Sequence, residues 1–115
     1  KNVDKGPRRD TRKAICHNSY YAYQYAKDID KGPKEDTRKA VCKYPDFAYL
    51  YAMYIDKKPR RDTRQAACKD SKYAYLYARN VDKNFHKDTW NAVLDTKYEK
   101  EYKEFLKHLM EEEVV

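Results

Sequence analysis

An all-α fold, an α-solenoid-like stack of short helical hairpins with a C-terminal amphipathic capping helix, is what three features of this sequence predict. The first is an ungapped repeat of 26 residues. The second is an apolar face at helical period inside each unit. The third is a composition with 13 Tyr but only 2 Gly and 4 Pro. That composition argues against collagen-like, linker-like and disordered chains and against a β-sandwich, which needs many Gly- and Pro-marked turns. A chain of 115 residues holds one ordinary domain or a short array of repeated units.

The repeats occupy residues 1–94, with units starting at 4, 30, 56 and 82, and residues 95–115 form the capping helix. Asp4-Lys5-Gly6-Pro7 recurs as Asp30-Lys31-Gly32-Pro33 and Asp56-Lys57-Lys58-Pro59, then decays to Asp82-Lys83-Asn84-Phe85. Six residues into each unit comes Asp10-Thr11-Arg12, Asp36-Thr37-Arg38, Asp62-Thr63-Arg64 and Asp88-Thr89-Trp90. Cys16, Cys42 and Cys68 then share one column. A period between about 20 and 50 residues marks a solenoid or array, because one such unit cannot bury its own apolar face.

In each unit the first helix should begin near the Pro, which suits a first helical position, and carry Thr-Arg-x-Ala-x-Cys. Asn18, Tyr44-Pro45 and Asp70-Ser71 end it and start the second helix, Asn and Asp as caps and Pro45 in the first turn. In the second helix Tyr21, Ala22, Tyr25, Ala26 and Ile29 form one face, the core face. Alanine columns 22/48/74 and 26/52/78 allow close approach, with Tyr25, Tyr51 and Tyr77 in the core. Tyr23, Tyr49 and Tyr75 lie well away from the centre of that face, at a flank or surface position, and are expected to form an exposed column; rings that pack between units are the alternative.

The fourth unit breaks the pattern: Trp90 replaces the Arg, Leu94 the Cys, and the Tyr-Ala motif is absent. Thr96-Lys97-Tyr98-Glu99 offers a capping box. Tyr98, Tyr102, Phe105, Leu106, Leu109 and Met110 come next as an amphipathic stripe. Terminal repeats need such a cap; an oligomer or partner helix is the alternative. Lys1-Asn2-Val3 matches Arg79-Asn80-Val81, the end of a unit, so a further unit is expected upstream.

The motifs Asp-Thr-Arg-x-Ala and Tyr/Phe-Ala-Tyr-x-Tyr-Ala resemble short two-helix tandem repeat arrays of unknown function in bacterial and phage proteins. The resemblance covers residues 4–94. It implies an all-helical stack and no chemistry, and it is the sole support for a phage-type inhibitor of a host protein.

Candidate chemistry is sparse. Thiols one per unit neither meet disulfide geometry nor converge on a metal, so Cys16, Cys42 and Cys68 read as small buried thiols. His17, His86 and His108 occupy different repeat positions, and no HExxH, CxxC or phosphate-loop motif is present. No catalytic, metal or cofactor residue is assigned, and the protein is read as non-enzymatic. The two Asp ladders, 4/30/56/82 and 10/36/62/88, read as helix caps and as ion-pair partners of Arg12, Arg38 and Arg64.

Charge is the functional signal. The formal net charge is +7, split as +9 over residues 1–82 and −2 over 83–115. Lys5, Lys31, Lys57 and Lys83 share one column, and Arg8, Lys34, Arg60 and His86 another, all on one edge of the stack. This predicts a scaffold or adaptor that binds an acidic protein surface through the basic edge and through Tyr23, Tyr49 and Tyr75. A nucleic-acid-binding array using the same cations on a phosphate backbone is the alternative, and self-association through the C-terminal helix or the open N-terminal repeat is a further one. The longest apolar run, Phe47–Ile55, falls far short of the roughly 20 residues of a membrane span. An odd count of 3 Cys without a secretory leader points to reduced thiols and a cytoplasmic setting.

Overall fold

The structure, a computed structural model, describes residues 9–114. It is all-helical, with no strand among those residues. The helices are α1 (Arg9–Ile15), α2 (Ser19–Tyr25), α3 (Glu35–Val41), α4 (Pro45–Tyr51), α5 (Arg61–Ala67), α6 (Ser71–Tyr77), α7 (Lys87–Val93) and α8 (Glu99–Val114). After α2, α4 and α6 the helix widens into a π turn, at Ala26–Asp30, Ala52–Asp56 and Ala78–Asp82. The Lys1-Asn2-Val3 match and the first Asp-Lys-Gly-Pro motif lie outside the described residues.

Local chemistry sets the element ends. Asn18 accepts from the Tyr21 N–H to cap α2, and Asp70 accepts from the Lys72 N–H to cap α6. Pro45 occupies the first position of α4, where its missing N–H costs nothing. Each π turn ends on a lysine in the left-handed region: Lys31 at φ 56°, Lys57 at 57° and Lys83 at 55°. Gly32, beside Lys31, is not left-handed, and a Cβ placed on it would meet nothing within 4 Å. That explains why Lys58 is accepted at the same place in the next unit.

The first helices start later than the Pro positions suggest. α3 begins at Glu35 and α5 at Arg61, two residues beyond Pro33 and Pro59. Lys34 and Arg60 intervene in extended backbone at φ −137° and −140°. The prolines therefore set an extended entry rather than the first helical turn.

Packing runs chiefly across unit boundaries: α2 on α3, α4 on α5 and α6 on α7, with weaker contacts between successive second helices. Ala22, Tyr23 and Ala26 meet Ala40, Val41, Tyr51 and Ile55. Ala52 meets Ala67, Tyr77 and Val81, and Ala74 and Ala78 meet Val93 and Tyr102. The alanines at 22, 26, 48, 52, 74 and 78 are wholly buried, so backbones approach without a gap to fill. The Cα radius of gyration is 16.5 Å. A compact chain of this length would have about 13 Å, so the units form an elongated stack of 62 × 31 × 17 Å.

Two residues of the expected core face are at the surface instead. Tyr21 and Ile29 are more than half exposed, whereas Ile55 and Val81, the equivalents of Ile29, are buried. Ile55 and Val81 rest on the second helix of the preceding unit. No described residue plays that part for Ile29.

α8 closes the other end. The Tyr98 N–H donates to Thr96 Oγ1, while Glu99 Oε1 accepts from the Asp95 N–H at 2.8 Å. Glu99 thus reaches one residue further back than in a standard capping box, because Asp95 is left-handed at φ 63°. Among the described residues no helix is long and apolar enough to cross a membrane.

Candidate functional site

The edge where one unit passes to the next is built by a clasp that repeats. Tyr51 Oη accepts from the Lys34 N–H at 3.0 Å, donates to the Lys34 carbonyl at 3.1 Å and shares a hydrogen bond with Thr37 Oγ1 at 2.7 Å. Tyr77 does the same with Arg60 and Thr63. A tyrosine on the second helix therefore satisfies the free backbone groups at the start of the first helix of its own unit.

An arginine lies over the same ring. The Arg38 guanidinium stands 5.9 Å from the Tyr51 ring centre and Arg64 stands 5.7 Å from that of Tyr77. Each arginine also reaches forward to the aspartate that opens the following unit. Arg38 Nη2 meets Asp56 Oδ1 at 2.8 Å, Arg64 Nη2 meets Asp82 Oδ1 at 2.6 Å, and Arg12 Nη1 meets Asp30 Oδ1 at 2.7 Å. Arg12 also holds Asp36 at 2.6 Å, which pulls that carboxyl below its ordinary range. The hydrogen bonds to Asp56 and Asp82 raise Arg38 and Arg64 further above neutrality. Asp30, Asp56 and Asp82 are almost fully buried in these pairs.

The ladder of aspartates is thereby consumed inside the stack, and the lysines beside it are not. Lys31, Lys57 and Lys83 are exposed, and among the described residues none pairs with a carboxylate. Lys34 is exposed too; Arg60 is half-buried, with Nε 3.4 Å from Asp62 Oδ1. His86, fourth in that column, spends Nδ1 on the Asp88 N–H to cap α7. Lys5 and Arg8 lie outside the described residues.

The tyrosine column is not the exposed row that the helical wheel suggests. Tyr23 is buried, and Tyr49 and Tyr75 are half-buried. Tyr23 meets Phe47 with ring centres 6.4 Å apart, Tyr49 meets Tyr73 at 6.0 Å, and Tyr75 stacks on Tyr98 at 6.1 Å. Tyr49 Oη also accepts from Asn80 Nδ2 at 2.8 Å. A wheel assigns one buried face to a helix. In this stack a second helix has two, one against the next first helix and one against the next second helix. The rings at the surface are others, Tyr20, Tyr44 and Tyr54 among them.

The cysteines sit at equivalent places, just past the end of each first helix. Their N–H groups donate to the carbonyls of Arg12, Arg38 and Arg64 at 3.0, 3.2 and 2.9 Å. All are half-buried. Burial, aided by Asp62 and Asp88, pushes the Cys42 and Cys68 thiols up to about 11, so both stay protonated at neutral pH. No cluster of three or more His, Cys, Asp or Glu suited to a metal ion occurs among the described residues.

Columns 13/39 and 17/43/69 on the first helices carry further exposed basic side chains: Lys13 and Lys39, then His17, Lys43 and Lys69. Sequence reading passed them over, although they recur at the same 26-residue step. No protein-family model, no curated protein and no solved structure matches this chain.

Proposed function

We propose that this protein is a non-enzymatic helical-repeat scaffold that binds an acidic protein surface through its inter-unit edge. The observation that carries the reading is the burial of Asp30, Asp56 and Asp82 against Arg12, Arg38 and Arg64. It leaves Lys31, Lys57 and Lys83 as a row of cations without a paired carboxylate at successive units. Such a row raises the local concentration of an anionic partner and sets its register. The tyrosines at 23, 49 and 75 do not support this contact, because their rings already pack against Phe47, Tyr73 and Tyr98. That packing also weighs against base stacking on a single strand.

The test is anisotropy titration of a labelled polyglutamate peptide and, in parallel, of a short DNA duplex at about 50 mM salt. The peptide should bind at micromolar protein, and a Lys31→Glu, Lys57→Glu, Lys83→Glu variant should lose that binding. Silence of the peptide, or indifference to the reversals, overturns the reading. Steeply salt-dependent binding of the duplex alone would replace it with the nucleic-acid alternative.

A further inference from the structure

A groove of about 540 Å³ runs between α1 and α3, lined only by residues of those helices and the turns that follow them. Cys16 and Ala40 form its floor, and Lys13, His17, Lys39 and Lys43 stand around its rim. The groove contains one carboxylate among the described residues, Asp36, and Arg12 already holds it at 2.6 Å. Among the described residues no carboxylate pairs with Lys13, Lys39 or Lys43. An apolar floor with an uncompensated cationic rim suits a segment that carries both carboxylates and apolar side chains.

A segment of that kind lies at the far end of the molecule. The last turn of α8 holds Glu111, Glu112 and Glu113 and no basic residue. A helix C-terminus already bears partial negative charge, and cations are the side chains that stabilise it. Glutamates there break the local rule, and the ion-pair partner that Glu111 meets is the exposed His108, at 3.5 Å. Met110 beside them is two-thirds exposed. Residues that violate a local preference are where compensation from elsewhere is expected.

We propose that the α1–α3 groove receives the acidic end of α8 from a second copy of this chain, so that the protein associates head to tail. One copy does not bring the two together, because the groove is built by α1 and α3 whereas α8 packs on α6 and α7 at the other end of the stack. The contact is heterologous. Each copy that joins still presents an open groove and a free acidic end, so assembly grows with concentration rather than stopping at a dimer. It uses neither Lys31, Lys57 nor Lys83 and stands apart from the binding edge proposed above.

Light scattering on the purified chain over a range of concentrations tests it. Mean mass should rise with concentration in low salt and fall to that of a monomer in high salt. The groove variant Lys39→Glu, Lys43→Glu should be monomeric, as should the end variant Glu111→Lys, Glu112→Lys, Glu113→Lys. Mixed together in charge-neutral form, with Gln at the same positions, the two should form a dimer and go no further, since one intact groove then meets one intact end and the other groove and end carry no complementary charge. Softer variants with Gln at the same positions, checked by circular dichroism, serve if either reversal disturbs the fold. The Lys31→Glu, Lys57→Glu, Lys83→Glu variant should still assemble, which separates this proposal from the edge. A monomer at every concentration, assembly that survives both reversals, or a mixture that stays monomeric would each overturn it.

Discussion

Tyr102 Oη lies 2.7 Å from Thr89 Oγ1, the same distance that separates Tyr51 from Thr37 and Tyr77 from Thr63. The sequence separation is 13 residues in the fourth unit and 14 in the two before it. α8 therefore supplies the tyrosine of a clasp whose Tyr-Ala motif has gone, one residue out of register. The Tyr102 hydroxyl also takes the His86 N–H at 3.2 Å, as its counterparts take Lys34 and Arg60.

Removing that hydroxyl from a central unit should be costly. Tyr77→Phe leaves the Arg60 N–H without its partner and the Thr63 hydroxyl with the Arg60 carbonyl alone, a loss of about 1–3 kcal/mol. Urea denaturation should show a lower midpoint with an unchanged slope.

The Arg38–Asp56 pair is nearly excluded from water, with the aspartate fully buried. Asp56→Ala strands a buried guanidinium and should cost about 3–5 kcal/mol. Arg38→Met combined with Asp56→Leu should cost far less, since neither charge remains. Thermal unfolding of the two variants would separate them by well over the shift of a surface substitution.

Lys57 holds a left-handed backbone that a side chain resists at about 1–2 kcal/mol. Lys57→Gly should therefore raise the melting temperature, by an amount matching roughly 1 kcal/mol. A fall in melting temperature would show that the lysine side chain contributes more than the strain it imposes.

The thiols set an alkaline limit. Cys42 and Cys68 rise from 9.0 to about 11 on burial, so the folded protein holds two protons that the unfolded chain has released by then. Their contribution to stability is complete below pH 9 and disappears as pH climbs through about 11. Denaturation midpoints should drop over that range, and Cys42→Ser, Cys68→Ser should flatten the drop. Alkylation at pH 8 should be slow in the native state and fast in urea.

The fold was legible because equivalence at a fixed step requires equivalent packing. Asp, Thr, Arg, Cys and the Tyr-Ala motif recur together, which is enough for the stack, while the amphipathic stripe from Tyr98 to Met110 marks the capping helix. The helix starts were misplaced because a proline fixes φ in extended backbone as readily as in a first turn, which only the geometry at Lys34 and Arg60 decides. The exposure of Tyr23, Tyr49 and Tyr75 was misread because a wheel sees one helix, and the rings that cover them belong to the next unit. Ile29 was misread for the converse reason: its column is buried by the unit before, not by its own. The groove at Lys13, Lys39 and Lys43 went unseen because it exists between two helices that sequence presents separately.

The forward reach of each arginine gives the array a direction. Arg38 and Arg64 find their aspartates 18 residues on, and 18 residues beyond Trp90 stands His108. Trp90 instead sets its ring edge-on to Tyr102 at 5.3 Å and requires no aspartate from a later unit. Splicing an extra copy of a central unit would leave every hook with its eye, so longer arrays should be buildable from the same block. Cutting after Val81 would orphan Arg64, and the tryptophan is what lets counting stop.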